Sequence, residues 1–120
     1  MSIWTYVIGV VEFSTNKSDD IIPRIEKCLG DIVEYEDLGK YWTKLPLGSE
    51  GSLTYEIHNG FIIFKGDLRD FYGKKDMKEL DDYFTNIFLE LKQNKIYVGD
   101  YVIKSWNETD GERIWKYNYE

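Results

Sequence analysis

Asn59-Gly60 restricts the fold of this chain more than any other pair of residues. A two-residue type I′ turn needs positive φ at both central positions, and Asn-Gly supplies them at the least steric cost. Before it, Leu53, Tyr55 and Ile57 alternate with Thr54, Glu56 and His58; after it, Phe61 to Lys65 returns as the partner. So short a connection sets Ile57 opposite Ile62 and Tyr55 opposite Phe64, and these four share one buried face. Glu56, His58, Phe61 and Ile63 fall on the other, mixed face.

The remaining elements arrange themselves around this hairpin. Ile3 to Phe13 is β-branched and aromatic at both parities, the pattern of a central strand covered on both faces. Asp19 or Asp20 is placed to cap a following helix, Pro23 suits its first turn, and Gly30 suits its end. Ile21, Ile22, Ile25, Cys28 and Leu29 have the spacing of one buried helical stripe. Ile32, Val33 and Tyr35 make a short strand, and "GKYWTKLPLGSEG" reads as a loop. A second helix is expected from Asp76, with Glu79 completing a capping box and Met77, Leu80, Phe84, Ile87, Phe88 and Leu91 facing inward. "KIYVGDYVIKSW", interrupted near Gly99, and "ERIWKYNY" close the chain as strands joined by "NETDG".

The order strand, helix, strand, strand, helix, strand, strand fits a single α+β domain over residues 1–120. Its expected form is a two-layer sandwich of ferredoxin-like βαββαβ order with an extra C-terminal strand, both helices covering one face of an antiparallel sheet. The other face then needs a cover. Either the aromatic C-terminal hairpin (Trp106, Trp115, Tyr117, Tyr119) wraps it, or a second subunit does, making a homodimer. With 42% hydrophobic and 17% aromatic residues the chain affords a packed core and surplus rings for an interface.

The formal charge of −7 argues against direct binding to nucleic acid and permits a basic protein surface as partner, including one that normally holds nucleic acid. Cys28 is the only cysteine, which excludes an intrachain disulfide and suits a reducing compartment. The apolar N-terminal run is too short to span a bilayer, so a cytoplasmic protein without membrane association is expected.

Little in the sequence looks like chemistry. Gly48-Ser49-Glu50-Gly51-Ser52 leads into a strand, no lysine follows Gly51, and Glu50 repels phosphate, so it is not a Walker-type loop. The simpler reading is a turn, with a nest of backbone donors as the functional alternative. His58, the only histidine, sits on the polar parity of a strand, and Cys28 belongs to a buried stripe, so a nucleophile–base pair is not expected. Glu50, Glu56, Asp67 and Asp70 could gather round a hard cation, but carboxylates are common enough here for chance proximity. No enzyme, metal or cofactor is expected.

Trp4 and Gly9 in the first strand, "LPLGSEGSL" at 45–53 and "GDLRDF" at 66–71 resemble a group of small bacteriophage-encoded proteins with no established activity. The resemblance implies phage origin, a host cytoplasm and a role in infection. It also gives weight to a composite site in which Gly48, Ser49, Glu50, Gly51 and Ser52 meet Asp67 and Arg69 at one end of the hairpin. A second candidate is the acidic stretch Asp31, Glu34, Glu36 and Asp37, as a mimic of nucleic-acid charge. The function these features suggest is a non-enzymatic binding protein that inhibits or modulates a host protein, an anti-CRISPR-like anti-defence factor among the possibilities. Alternatives are a protein that sequesters a nucleotide signal and a phage assembly factor.

Overall fold

The computed structural model describes residues 2–15, 21–30, 32–35, 39–42, 45–46 and 48–117. Among these residues seven strands and two helices run in the order β1 (Trp4–Thr15), α1 (Ile21–Leu29), β2 (Ile32–Tyr35), β3 (Gly39–Trp42), β4 (Leu53–His58), β5 (Phe61–Arg69), α2 (Gly73–Gln93), β6 (Ile96–Asn107) and β7 (Gly111–Tyr117). Five strands form one antiparallel sheet in the order β4-β5-β1-β6-β7, and β2 pairs with β3 in a separate two-stranded sheet. The fold is α+β. It departs from the expected order because residues 39–42, read as loop, pair with β2.

The hairpin has the expected register. Ile57 faces Ile62 and Tyr55 faces Phe64, but of the two turn residues only Gly60 takes positive φ, +87°; Asn59 does not, so the turn is not the expected type I′ although it joins the strands in the same register. Leu53, Tyr55, Ile62 and Phe64 are buried and Ile57 packs against them. β1 lies at the middle of the sheet, with Val7 and Val11 in the core. From α1 come Ile25, Cys28 and Leu29, and from α2 Met77, Leu80, Phe84, Ile87 and Leu91. Ile22 is half exposed, so the α1 stripe is narrower than its apolar residues suggest.

At the centre, the Phe64 ring meets Tyr55, Tyr83 and Phe84 at centroid distances of 6.3, 6.5 and 5.5 Å. The two tyrosine hydroxyls donate to the carbonyls that end α1: Tyr55 to Gly30 at 2.6 Å and Tyr83 to Leu29 at 2.9 Å. These bonds satisfy carbonyls that the helix itself leaves without partners. Burial pushes the Tyr83 hydroxyl well above the ordinary tyrosine range, so it stays a neutral donor.

α2 begins at Gly73, three residues before the expected Asp76, and its N-cap Tyr72 makes no side-chain cap. Asp76 instead accepts the Tyr72 N–H at 2.9 Å, and the first helical N–H, of Gly73, donates to Asp110 Oδ2 at 2.8 Å. The cap thus comes from the β6–β7 turn. That turn is anchored by Asn107, whose amide donates to Thr5 Oγ1 at 2.9 Å and to Asp110 Oδ2 at 3.0 Å, and whose Oδ1 accepts from Thr109 N at 2.9 Å. Thr5 in turn donates to the Phe71 carbonyl. β6 is one strand rather than two pieces; the irregularity near Gly99 is a register shift opposite Val11 and Phe13. The proposed α1 caps Asp19 and Asp20 lie outside the described residues.

The C-terminal hairpin does not wrap the second sheet face. β7 extends the sheet in its own plane, with Trp115 turned inward against Phe84 at 5.1 Å and Trp106 turned outward. Tyr119 lies outside the described residues. Apolar residues at both parities of β1 therefore do not mean burial on both sides within this chain. No helix among the described residues is long and apolar enough to cross a membrane.

Candidate functional site

The outward parity of the sheet places Tyr6, Ile8 and Val10 of β1 beside Asp67, Lys65 and Ile63 of β5. On their other side stand Trp106, Lys104 and Val102 of β6, followed by Glu112, Ile114 and Lys116 of β7. Ile8 is 65% exposed and Val102 51%, and the Tyr6 and Trp106 rings stack on this face at 6.4 Å. An apolar band this broad on one side of a sheet is the usual mark of an interaction surface.

Three ion pairs flank the band: Lys65–Glu56 at 3.0 Å, Lys104–Glu112 at 2.7 Å, and Arg69–Glu50. Glu56 also takes a 3.3 Å contact from His58 Nε2, and hydrogen bonds from Lys65 and then His58 hold its carboxyl below the usual carboxylate range. His58 is therefore an exposed partner of a carboxylate, with no nucleophile against it among the described residues.

At the Trp4 end of the face the two stretches singled out in the sequence come together. Ser49 N donates to the Arg69 carbonyl at 2.9 Å, and Arg69 N donates to the Glu50 carbonyl at 3.0 Å. The loop closes on itself through Gly48 N to the Gly51 carbonyl at 3.0 Å, and the Arg69 guanidinium bonds Glu50 Oε1 and Ser2 Oγ. Ser49 Oγ reaches Asp70 Oδ2 at 3.3 Å, and Ser52 Oγ donates to the Leu53 carbonyl at 3.1 Å. Glycine is required at Gly51: φ is +74°, and a Cβ there would fall on the Asp67 carbonyl oxygen. Gly48 is equally constrained, by the Arg69 backbone.

The N–H groups of Gly48 and Ser49 are thus spent on the fold, which removes them from any anion nest. Gly51→Ala is expected to loosen the loop without unfolding the domain, since loops open at lower free energy than cores. Hydrogen exchange at the Arg69 amide should accelerate at least tenfold, an opening-energy change of about 1.4 kcal/mol. Amide exchange in the buried strands should stay slow.

Beside this loop is an open depression of about 560 Å³ lined by Trp4, Glu50, Gly51, Ser52, Lys65 and Asp67, among others. Asp67 has no ion-pair partner among the described residues, although the neighbouring carboxylates Glu50 and Glu56 both have one. The sequence predicted the meeting of Glu50 and Arg69. It missed Trp4 and Lys65, which reach the site only because β1 lies next to β5.

Of the other acidic candidates, Asp31, Glu36 and Asp37 lie outside the described residues, and Glu34 lies in β2 opposite Lys40. Among the described residues no group of three or more His, Cys, Asp or Glu side chains is placed to hold a metal ion. No protein-family model, curated protein or solved structure matches this chain.

Proposed function

We propose that this is a non-enzymatic binding protein that docks on another protein by receiving a cationic side chain in the depression beside Trp4. The observation that carries this reading is Asp67, a carboxylate without a cation among the described residues, set with Glu50 in a recess lined by Trp4. An aromatic face and a free carboxylate together recognise guanidinium or ammonium groups, through cation–π attraction and charge. The net charge of −7 favours a basic partner and speeds its encounter. The resemblance to bacteriophage proteins makes that partner a host protein in the host cytoplasm, with a nucleic-acid-binding defence enzyme as the finer reading. The acidic stretch from Asp31 to Asp37 is a second contact in the same scheme.

The antiparallel order β4-β5-β1-β6 with two helices supports a ferredoxin-like framework, with β2–β3 inserted after α1 and β7 appended. The recess also supports a small-ligand reading, with a planar group stacked on Trp4. Glu50 and Asp67 disfavour phosphorylated ligands, so a nucleotide signal is the weaker choice.

Affinity purification from a bacterial host lysate separates these readings. The parent chain is expected to retain a basic protein, and Asp67→Lys to lose it by a factor of ten or more, while both melt alike. Equal retention by Asp67→Lys sinks the cation-site reading. Release of a small molecule from the denatured parent, with no retained protein, replaces it with the ligand reading.

A further inference from the structure

We infer that β7 pairs edge to edge with β7 of a second copy, antiparallel and about a two-fold axis at Ile114, so that two sheets join into one. This stands apart from the host-partner reading. β7 is an outermost strand, and no strand among the described residues pairs with its far side. Every second residue of such an edge strand leaves its N–H and C=O without a ladder partner. The helix layer does not cover this edge. Phe84 of α2 reaches β5 through Phe64 at 5.5 Å and β7 through Trp115 at 5.1 Å, so the helix lies over the strands between them. Glu112, Arg113, Ile114 and Lys116 are all exposed. At the other edge of the sheet, Leu53 N of β4 already donates to the Pro46 carbonyl at 2.9 Å.

The strand's own charges select the occupant. Charged residues on an edge ordinarily keep strands apart, because a chance partner leaves them without counter-charges. A second β7 does not. With Ile114 opposite its own counterpart, Glu112 stands across from the partner's Lys116, and Lys116 across from the partner's Glu112, both on the outward face. On the inward face Arg113 stands across from the partner's Trp115, a guanidinium beside an indole. Glu112 keeps Lys104 at 2.7 Å and Arg113 keeps Asp81 at 2.9 Å, so no pair is broken. Lys116 has no ion pair among the described residues and gains one. Asp100, Glu108 and Asp110 lie beyond the ends of the paired segment, and Asp110 is turned to the Gly73 N–H on the helix side.

Other registers lose these contacts. An axis at Arg113 sets the two arginines against each other, and an axis at Trp115 sets Lys116 across from Ile114. Parallel pairing in register sets Glu112 against Glu112 and Lys116 against Lys116. Ile114 is also the midpoint of Gly111–Tyr117, so the chosen axis pairs the strand over its whole length. At about 3.4 Å per residue the seam is about 24 Å long, with about six to eight backbone hydrogen bonds. That is small for an interface, and association is expected at about 10–300 µM. Antiparallel pairing keeps both open faces on one side of the joined sheet. The Trp4 recesses, at the β4–β5 side of each copy, stay uncovered.

Sedimentation equilibrium from about 5 to 500 µM covers that range and tests the inference. The parent should dimerise. Glu112→Lys alone and Lys116→Glu alone, both at exposed positions, should stay folded and self-associate at least tenfold more weakly, because each homodimer then carries two like-charge contacts. Mixed in equal amounts, the two variants should form a heterodimer near parental affinity, since each exchanged residue then faces its opposite. Hydrogen exchange locates the seam. The β7 amides that point away from β6 should exchange more slowly at about 500 µM than at about 5 µM, with those of β4 unchanged. A parent that remains monomeric throughout overturns the proposal. So does a mixture no tighter than its components, or a dimer that leaves the β7 amides unprotected.

Discussion

Phe64→Ala should lower the free energy of unfolding by about 3–5 kcal/mol, a large part of the about 5–15 kcal/mol such a domain has. The ring is fully buried where β4, β5 and α2 meet. Its neighbours cannot collapse into the space, because Tyr55 and Tyr83 are tethered by their hydroxyls to the end of α1. The cavity therefore persists, and the loss lies toward the upper part of that range. Phe61→Ala is the matched control, since that ring sits at the opposite parity of the same strand and is 44% exposed. Urea denaturation should show the first variant far less stable than the second. Equal losses would mean that the inward face of the hairpin is misassigned.

Asn107→Leu should cost about 2–4 kcal/mol, although leucine is close in size and more apolar. The side chain is 1% exposed and holds Thr5, Thr109 and Asp110. Leucine leaves two turn N–H groups without their acceptor and frees Asp110 from its place over the Gly73 N–H. Thr109 and Asp110 lie in an exposed turn where water can replace part of the loss, so the four hydrogen bonds of Asn107 count at about 0.5–1.5 kcal/mol each. Asn107→Asp restores the acceptor for the turn but repels Asp110, so it should fall between the parent and the leucine variant. Denaturant midpoints for the three chains check the order. A leucine variant as stable as the parent would show that this network contributes nothing.

These two sites also show how far the sequence could be read. The surroundings of Phe64 were legible because an Asn-Gly turn and a period of two fix a register locally. That register brings the two ends of the hairpin together, and the resemblance carried by the 45–53 and 66–71 stretches gave weight to a site in which Glu50 meets Arg69. The role of Asn107 was not legible, because its partners lie at opposite ends of the chain, 102 residues apart in the case of Thr5. The start of α2 was misplaced for the same reason, its cap coming from Asp110, 37 residues away. β3 was missed because four residues carry too little periodicity to stand out from a loop. Residues 3–13 were read as covered on both sides because apolar alternation reports only that a surface avoids water. Whether the cover belongs to the same chain is decided by tertiary placement.

The central position of β1 has a consequence for how the molecule is made. Its neighbours in the sheet are β5 and β6, both later in the chain, so the strand is completed only once β6 has been made. A ribosome adding about 5–20 residues per second leaves β1 without its β6 partner for about 5–20 s. During that interval the β4–β5 hairpin, whose contacts are local, is free to close and to offer its β5 edge, while the β6 side of β1 stays unpaired. Folding of this chain is therefore limited by long-range closure, and β1 is the segment most in need of a chaperone.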